Sequence, residues 1–473
     1  MSSVPATLVR LDLSLSVTWV QLVAGTWLFV ASSNDRESKL SCYDLAVKPT
    51  QGTTHAYLPG RVRTAKAEIQ EDGVVLALGL AHEAQAVYVV TLRKPESETP
   101  NVFCQLAQLQ GSSHVLMLSG NFVGCAVRGG LNIPHLFNWR TGVVYEMEPP
   151  PGGLDLPARR SVPHLMVLWG DQLVVVRTNH LEIYDIRHDT RTASFSQVIE
   201  VSGIWEVSVC SPVDAPPQSL SFVAISPAGI EMLSLHKLDD TIQLDQSVLV
   251  QMPTRPEPGT RRLPAIEHPL ICSLRVGASG RRMLWISAAE ASADALKYPL
   301  RLFQAPITTG TTTENHHLCS TFENDEDPAL WGVASLDFDD ALGLVTVANV
   351  FGELAVFDYG SEPPFREHRW TKDLACSPGP LPPRLSSVSE ITVPQLQSLN
   401  SSKDPIPLNT LPALRRSMTD EEMCQSRWCL ARPPLRNHFP SEYLWAGTPC
   451  DDAWLLNHAY DQPTPAYLEK LED

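Results

Sequence analysis

The chain has 473 residues, 43% of them hydrophobic, and carries 53 acidic against 36 basic side chains, a formal charge of −17. That apolar fraction supports a packed core and excludes wholesale disorder. The acidic balance lacks the cationic footprint that phosphate backbones require, so nucleic acid is not an expected partner.

From the N-terminus, residues 6–13 (Ala-Thr-Leu-Val-Arg-Leu-Asp-Leu) alternate apolar and polar side chains, the mark of a half-buried strand. The stretch Val17–Ala31 is apolar apart from Thr18, Gln21 and Thr26. It is too short for a membrane span and has no basic segment before it. Two strands joined by a turn at Ala24-Gly25 account for it, and no membrane association is expected.

A small cadence then recurs: a bulky apolar residue, a polar one, and usually another apolar one. Its polar members are Asp44, Thr91, Asn138, Asp185, Ser234, Gln304 and Asp358, at intervals of 47, 47, 47, 49, 70 and 54 residues. A strand-rich period in the forties is the signature of a β-propeller blade of about four strands. In each repeat an alternating strand leads through a turn to a nearly continuous apolar strand. A variable loop follows, and then the strand with the cadence. The fourth repeat is the clearest, with His164–Gly170, Leu173–Val176 and Leu181–Arg187. A strand buried between neighbouring blades must be apolar on consecutive residues, as the second strand of nearly every repeat is. The expected fold is therefore all-β, a seven-bladed WD-like β-propeller over residues 1–364. The strand at 6–13 supplies the outer strand of the last blade and clasps the chain ends, or residues 364–370 take that slot; the clasp is favoured. Two repeats carry extra residues, around Pro253–His268 and Thr308–Asp327, both read as surface loops.

Beyond residue 364 the pattern changes. Pro378-Gly-Pro-Leu-Pro-Pro383 marks a linker. Thr419-Asp-Glu-Glu422 has capping-box spacing, and a second short helix is expected from Asp451 to His458. The aromatics Trp428, Tyr443, Trp445, Trp454 and Tyr460 predict a partly helical, Pro-rich extension, residues 365–473, that packs back on the propeller.

Little in the chain carries chemistry. Gly111-Ser-Ser-His114 lacks nucleophile-elbow spacing and a paired acid, and reads as a turn. Asp337, Asp339 and Asp340 sit at a strand–turn junction and read as turn formers. His316-His317 with Cys319, and Cys424 with Cys429, lack the paired spacings of structural zinc sites. No catalytic residue, metal or cofactor is expected. The ten cysteines are scattered, and Cys42, Cys125, Cys210 and Cys272 fall inside predicted strands as small hydrophobes. They point to the reduced interior of the cell, cytoplasmic or nuclear.

The segments Cys-Tyr-Asp-Leu, Phe-Asn-Trp-Arg-Thr-Gly, Ile-Tyr-Asp-Ile-Arg and Val-Phe-Asp-Tyr resemble the closing strands of WD-repeat blades, without any Trp-Asp or Gly-His dipeptide. With Gly25–Ser33, Leu40–Leu45 and the tail around Asp452–Leu456, the layout resembles fungal F-box proteins that carry a C-terminal, degenerate WD-like propeller. The resemblance implies a substrate receptor, in which an F-box docks on a cullin ubiquitin ligase and the propeller holds the target. An F-box is a helical segment of about forty residues, and none is expected in this chain.

The reading is a monomeric, non-enzymatic interaction module that presents loops at one end of its channel to a protein or peptide client, with cullin-ligase components as further candidate partners. The contact residues expected between second and third strands are Asp35, Arg36, His82, Arg128, Asn132, Asn179, His180, Asn349 and Phe351. The alternative is a propeller enzyme, a hydrolase or a quinone-cofactor oxidoreductase, with carboxylates or histidines converging on the channel. A carbohydrate-binding propeller is disfavoured by the lack of a Trp repeated at equivalent loop positions.

Overall fold

The computed structural model describes residues 7–360, except 14, 35–36, 46–52, 72, 82–85, 94–101, 127–132, 154–162, 211–218, 239–240, 252–270, 289–299, 308–315, 319–334 and 350–351, together with the pair 406–407. Among the described residues there is no helix, and so none long and apolar enough to cross a membrane. The helices expected of residues 365–473, and any packing of that extension other than at 406–407, lie outside the described residues, as do the predicted loop at Pro253–His268 and Phe351.

The strands follow one another as antiparallel meanders. After β1 (Thr7–Asp12), the first unit is β2 (Ser16–Val23), β3 (Trp27–Ser33), β4 (Ser38–Asp44) and β5 (Thr53–Leu58). The second is β6 (Arg61–Gln70), β7 (Gly73–Ala81), β8 (Ala86–Arg93) and β9 (Val102–Gln110). The third is β10 (His114–Ser119), β11 (Phe122–Ala126), β12 (Pro134–Asn138) and β13 (Val143–Met147). The fourth is β14 (Leu165–Trp169), β15 (Gln172–Val176), β16 (His180–Arg187) and β17 (Thr192–Glu200). The fifth is β18 (Glu206–Cys210), β19 (Ser219–Ser226), β20 (Gly229–Leu238) and β21 (Thr241–Gln251). The sixth is β22 (Ile271–Val276), β23 (Arg282–Ala288), β24 (Leu300–Pro306) and β25 (His316–Leu318). The seventh is β26 (Ser335–Asp339), β27 (Leu344–Ala348) and β28 (Glu353–Asp358), completed by β1. A final short strand, β29 (Ile406–Pro407), pairs with β9.

β1 runs antiparallel to β28 from Thr7↔Asp358 to Asp12↔Glu353. The N-terminal clasp is therefore the arrangement adopted, and it covers an edge that an open ring would leave bare. Thr308–Asp327, read as a loop, contains β25, whose pairing with β24 supplies the outer strand of the sixth unit. A three-residue strand is too short to leave a periodic signal. The turn at Ala24-Gly25 is present: both residues have positive φ (52° and 60°) and Thr26 N donates to Val23 O, the geometry that matches strand twist in a tight hairpin. The third and fourth units merge into one eight-stranded sheet because β13 leaves β12 after three pairs and adds in parallel to β17 at Thr192 and Ala193.

Burial explains the pattern of the sequence. β27 is buried at every position, and β8 at every position but its last. Seven apolar clusters are found among the described residues, each shared by two consecutive units. The cluster containing Leu11, Val20, Leu28, Leu344 and Val356 joins the seventh unit to the first. Units that bury both faces against neighbours, with the last packed on the first, make the β-propeller topology. The cadence residues work as local staples. Asn138 Oδ1 accepts from Arg140 N and Thr141 N, Asp358 Oδ1 from Gly360 N, and Asp185 Oδ1 from the Gln172 amide.

Candidate functional site: loop face and central channel

Of the nine loop residues proposed from sequence, Asn179, His180 and Asn349 are described; Asp35, Arg36, His82, Arg128, Asn132 and Phe351 lie outside the described residues. Asn179 is exposed, whereas His180 and Asn349 are buried. The His180 ring approaches Glu182 at 3.2 Å, and the Arg177 guanidinium meets the same carboxylate at 3.2 Å. Tyr184 donates its hydroxyl to the second carboxylate oxygen at 3.1 Å. Arg177 and Glu182 have no solvent exposure at all. Burial alone would raise the Glu182 carboxyl; the hydrogen bond from His180 and the Arg177 charge outweigh it and hold the group down at about 2. The backbone around this network is tied as well: Arg177 N donates to His180 O, Val201 N to Asn179 O and Ile204 N to Thr178 O.

The equivalent turn of the seventh unit is locked differently. The Asn349 amide donates to Glu353 Oε2 at 2.7 Å and accepts from Glu353 N at 3.1 Å. Backbone bonds from Val17 N to Asn349 O and from Leu13 N to Gly352 O join this turn to the first unit. In the first unit Ser38 Oγ meets Ser33 Oγ at 2.6 Å, donates to Gly60 O and accepts from Val62 N. Ser112 and Ser113 also engage imidazoles, His135 Nδ1 at 3.3 Å and His114 Nδ1 at 3.0 Å. Both serines are buried at the start of β10, and no carboxylate joins them among the bonds found there.

The sequence predicts a channel, but not the polar links between the first strands. First strands of successive units lie beside one another, as β2 beside β6, β6 beside β10, β18 beside β22 and β26 beside β2, and their free edges need hydrogen-bond partners. At four junctions, first to second, second to third, fifth to sixth and seventh to first, a side chain of the earlier unit accepts from the backbone of the later one. Ala67 N donates to Gln21 Oε1 (2.8 Å) while the Gln21 amide donates back to Ala67 O (2.9 Å). Val115 N donates to Thr64 Oγ1, Val276 N to Ser208 Oγ, and Val20 N to Ser335 Oγ. Leu22 N donates to Asp337 Oδ2 at 2.5 Å. Asp337 is thus an inter-unit strand residue, while Asp339 does cap the turn, accepting from Ala341 N and Leu342 N. Asp340 serves neither role and ties the sixth unit to the seventh through Ser279.

Four charged side chains from four of these first strands act on one another: Lys66, Glu206, Arg275 and Asp337. Arg275 Nη1 donates to Glu206 Oε1 at 2.7 Å and to Leu274 O. Lys66 keeps solvent contact, but protein crowded round its ammonium, with the Arg275 charge, lowers it to about 8 against the pull of Asp337 and Glu206. Burial pushes the Asp337 carboxyl up to about 6, opposed by the Leu22 amide and by Arg275. Leu274-Arg-Val276 and Leu336-Asp-Phe338 each set a charge between apolar residues, but β6 carries Arg61, Arg63, Lys66 and Glu68, so the strand pattern alone does not single out this set. Only ring closure makes it visible as a group. Among the described residues no cluster of three or more His, Cys, Asp or Glu side chains is placed to hold a metal ion.

No family model matches the chain, and no curated protein matches it. Solved structures resemble it at low identity. The WD40 domain of SCAP from fission yeast is 9% identical, with 73% of this chain and 85% of that one aligned and a TM-score of 0.39. The Dos1 propeller is 10% identical, over 75% and 95% of the two chains, with a TM-score of 0.40. A candidate 6-phosphogluconolactonase from Bacteroides uniformis is 9% identical, over 66% and 84%, with a TM-score of 0.43. Likeness at this level carries no argument about what the chain does.

Proposed function

We propose that this chain is a seven-bladed propeller that works inside the cell as a monomeric, non-enzymatic interaction module. It holds a protein or peptide client against its loop face, in the manner of the substrate receptors it resembles, with cullin-ligase components as candidate partners. The seven four-stranded units and the seven shared clusters support the blade number. The observation that carries the binding role is the locking of the second-to-third-strand turns by internal polar contacts in the first, fourth and seventh blades. In the fourth blade, where the whole turn is described, such locking presents a fixed outline at small entropic cost on association. Asn179 is the exposed residue of that turn, whereas His180 and Asn349 are buried in the locking contacts and are not available to a client.

The channel favours a second reading, a propeller enzyme, because Glu206 and Asp337 approach from separate blades beside Lys66. Each carboxylate already has a structural partner, Arg275 for Glu206 and Leu22 N for Asp337, so neither is poised as a free acid or base.

The test is affinity purification from the native cell with mass spectrometry, comparing the wild type with Asn179→Arg on the loop face and Gln243→Arg on exposed β21. Loss of a specific client with Asn179→Arg alone supports the module. Cullin-ligase subunits in that client set extend it to a receptor. A client set indifferent to Asn179→Arg overturns the loop-face assignment. A hydrolase activity that disappears with Asp337→Asn establishes the enzyme instead.

A further inference from the structure

The outer strands of the propeller differ in what covers them. On β21 the run from Asp245 to Val248 is exposed, with Val248 at 46%. On β9 the corresponding edge is buried: Phe103 is 0%, Cys104 7% and Gln105 5% exposed. Residues from far along the chain lie against it, for Ile406 pairs with Gln105 and Pro407 with Cys104, antiparallel. They extend the sheet of the second unit to five strands.

Three features set the chemistry of this edge. Proline has no N–H, so Ile406 is the residue of the pair whose amide can donate to β9. Pro407, opposite Cys104, has its φ fixed near that of an extended chain and offers no amide with which to pair onward. The ladder between β8 and β9 is irregular at this point: Val89 faces Ala107 and Val90 faces Gln105, leaving Leu106 as the extra residue of a bulge. A bulge bends an edge away from further pairing, which confines docking to the first half of β9. The Gln105 side-chain oxygen is buried there and meets no donor among the described residues, an acceptor still open to an occupant.

We propose that the Phe103–Gln105 edge of β9 is a strand-docking site for a short, proline-containing extended segment, and that this chain fills it with its own Ile406-Pro407. The 48 residues from Asp358 to Ile406 can span well over 100 Å when extended, so the end of the seventh unit reaches the second without strain. Tethering places the segment at an effective concentration of about millimolar, and a partner offering the same chemistry in trans must compete with it. The site is on the rim, and the inference stands apart from what the loop face binds.

The experiment uses the full chain, its Ile406→Pro variant, which removes the donor, and Ile406→Ala, which keeps it. Amide exchange at Cys104 and Gln105 is followed by mass spectrometry. Binding of a fluorescent peptide of residues 402–410 is followed by anisotropy. Exchange at 104–105 is expected to rise at least tenfold in Ile406→Pro and to change little in Ile406→Ala. The peptide is expected to bind Ile406→Pro at least tenfold more tightly than the wild type. Unchanged exchange in Ile406→Pro, or a peptide that binds neither chain or both alike, overturns the proposal. Because β29 lies outside the ring, the melting temperature of Ile406→Pro is expected to stay within a degree or two of the wild type, which separates undocking from unfolding.

Discussion

The buried Arg177–Glu182–His180–Tyr184 network makes the sharpest test of the loop face. Its central carboxylate is held at about 2 against an ordinary value of 4.5. At about 1.4 kcal/mol per unit, that displacement corresponds to about 3 kcal/mol of stability tied to the ionised group. The contribution is complete above pH 4.5, where the unfolded chain is also ionised, and is lost as pH falls from there towards 2. Replacing Glu182 by Ala at pH 7 removes it and leaves the Arg177 charge buried without its carboxylate. Breaking one side of a buried pair costs about 3–5 kcal/mol, so a loss of about 4 kcal/mol is expected. Urea unfolding followed by tryptophan fluorescence measures it. The paired change Arg177→Met with Glu182→Leu removes both charges and is expected to recover most of the loss, because apolar groups of similar volume replace a desolvated pair at little net cost. A loss below about 1 kcal/mol for Glu182→Ala, or a double variant no more stable than the single one, would refute the reasoning.

Three further outcomes are expected. Val175→Asp places an unpaired charge at a fully buried position of the fourth unit's second strand and should destabilise by several kcal/mol; a melting temperature shifted by less than a couple of degrees would remove that strand from the core. Asp337, raised to about 6 from 3.8, opposes folding once ionised, so this group's contribution falls as pH rises from about 4 to 6. Asp337→Asn should abolish that slope, worth about 1–2 kcal/mol after solvent screening, and stabilise the protein at pH 7; an unchanged pH profile of unfolding would count against it. Gln21→Ala strips both hydrogen bonds from the Ala67 backbone and should cost about 1–3 kcal/mol, with faster amide exchange at Ala67. Unaltered exchange there would mean that water replaces the amide without loss.

Much of the architecture was legible because its physical causes act locally. Leu173–Val176 and Leu344–Ala348 are apolar on successive residues since both faces of those strands meet another unit, and this requirement is written residue by residue. The turn at Ala24-Gly25 is equally short-range. β25 was missed because three residues carry no period. β29 was missed because a Pro-Ile-Pro segment looks like linker until an edge is placed beside it.

The site divides along the same line. The chain order of strands and turns, and the likeness of one repeat to the next, come from the sequence by itself, since backbone propensity and burial patterning need no distant partner. The tertiary structure decided that His180 turns inward to a buried carboxylate while its neighbour Asn179 faces solvent, because the packing of the units leaves Arg177 and Glu182 with no solvent exposure. It alone decided that Lys66, Glu206, Arg275 and Asp337, up to 271 positions apart, share one electrostatic environment. Charge interactions fall off with distance in space and not with distance along the chain, and only the closed ring converts one into the other.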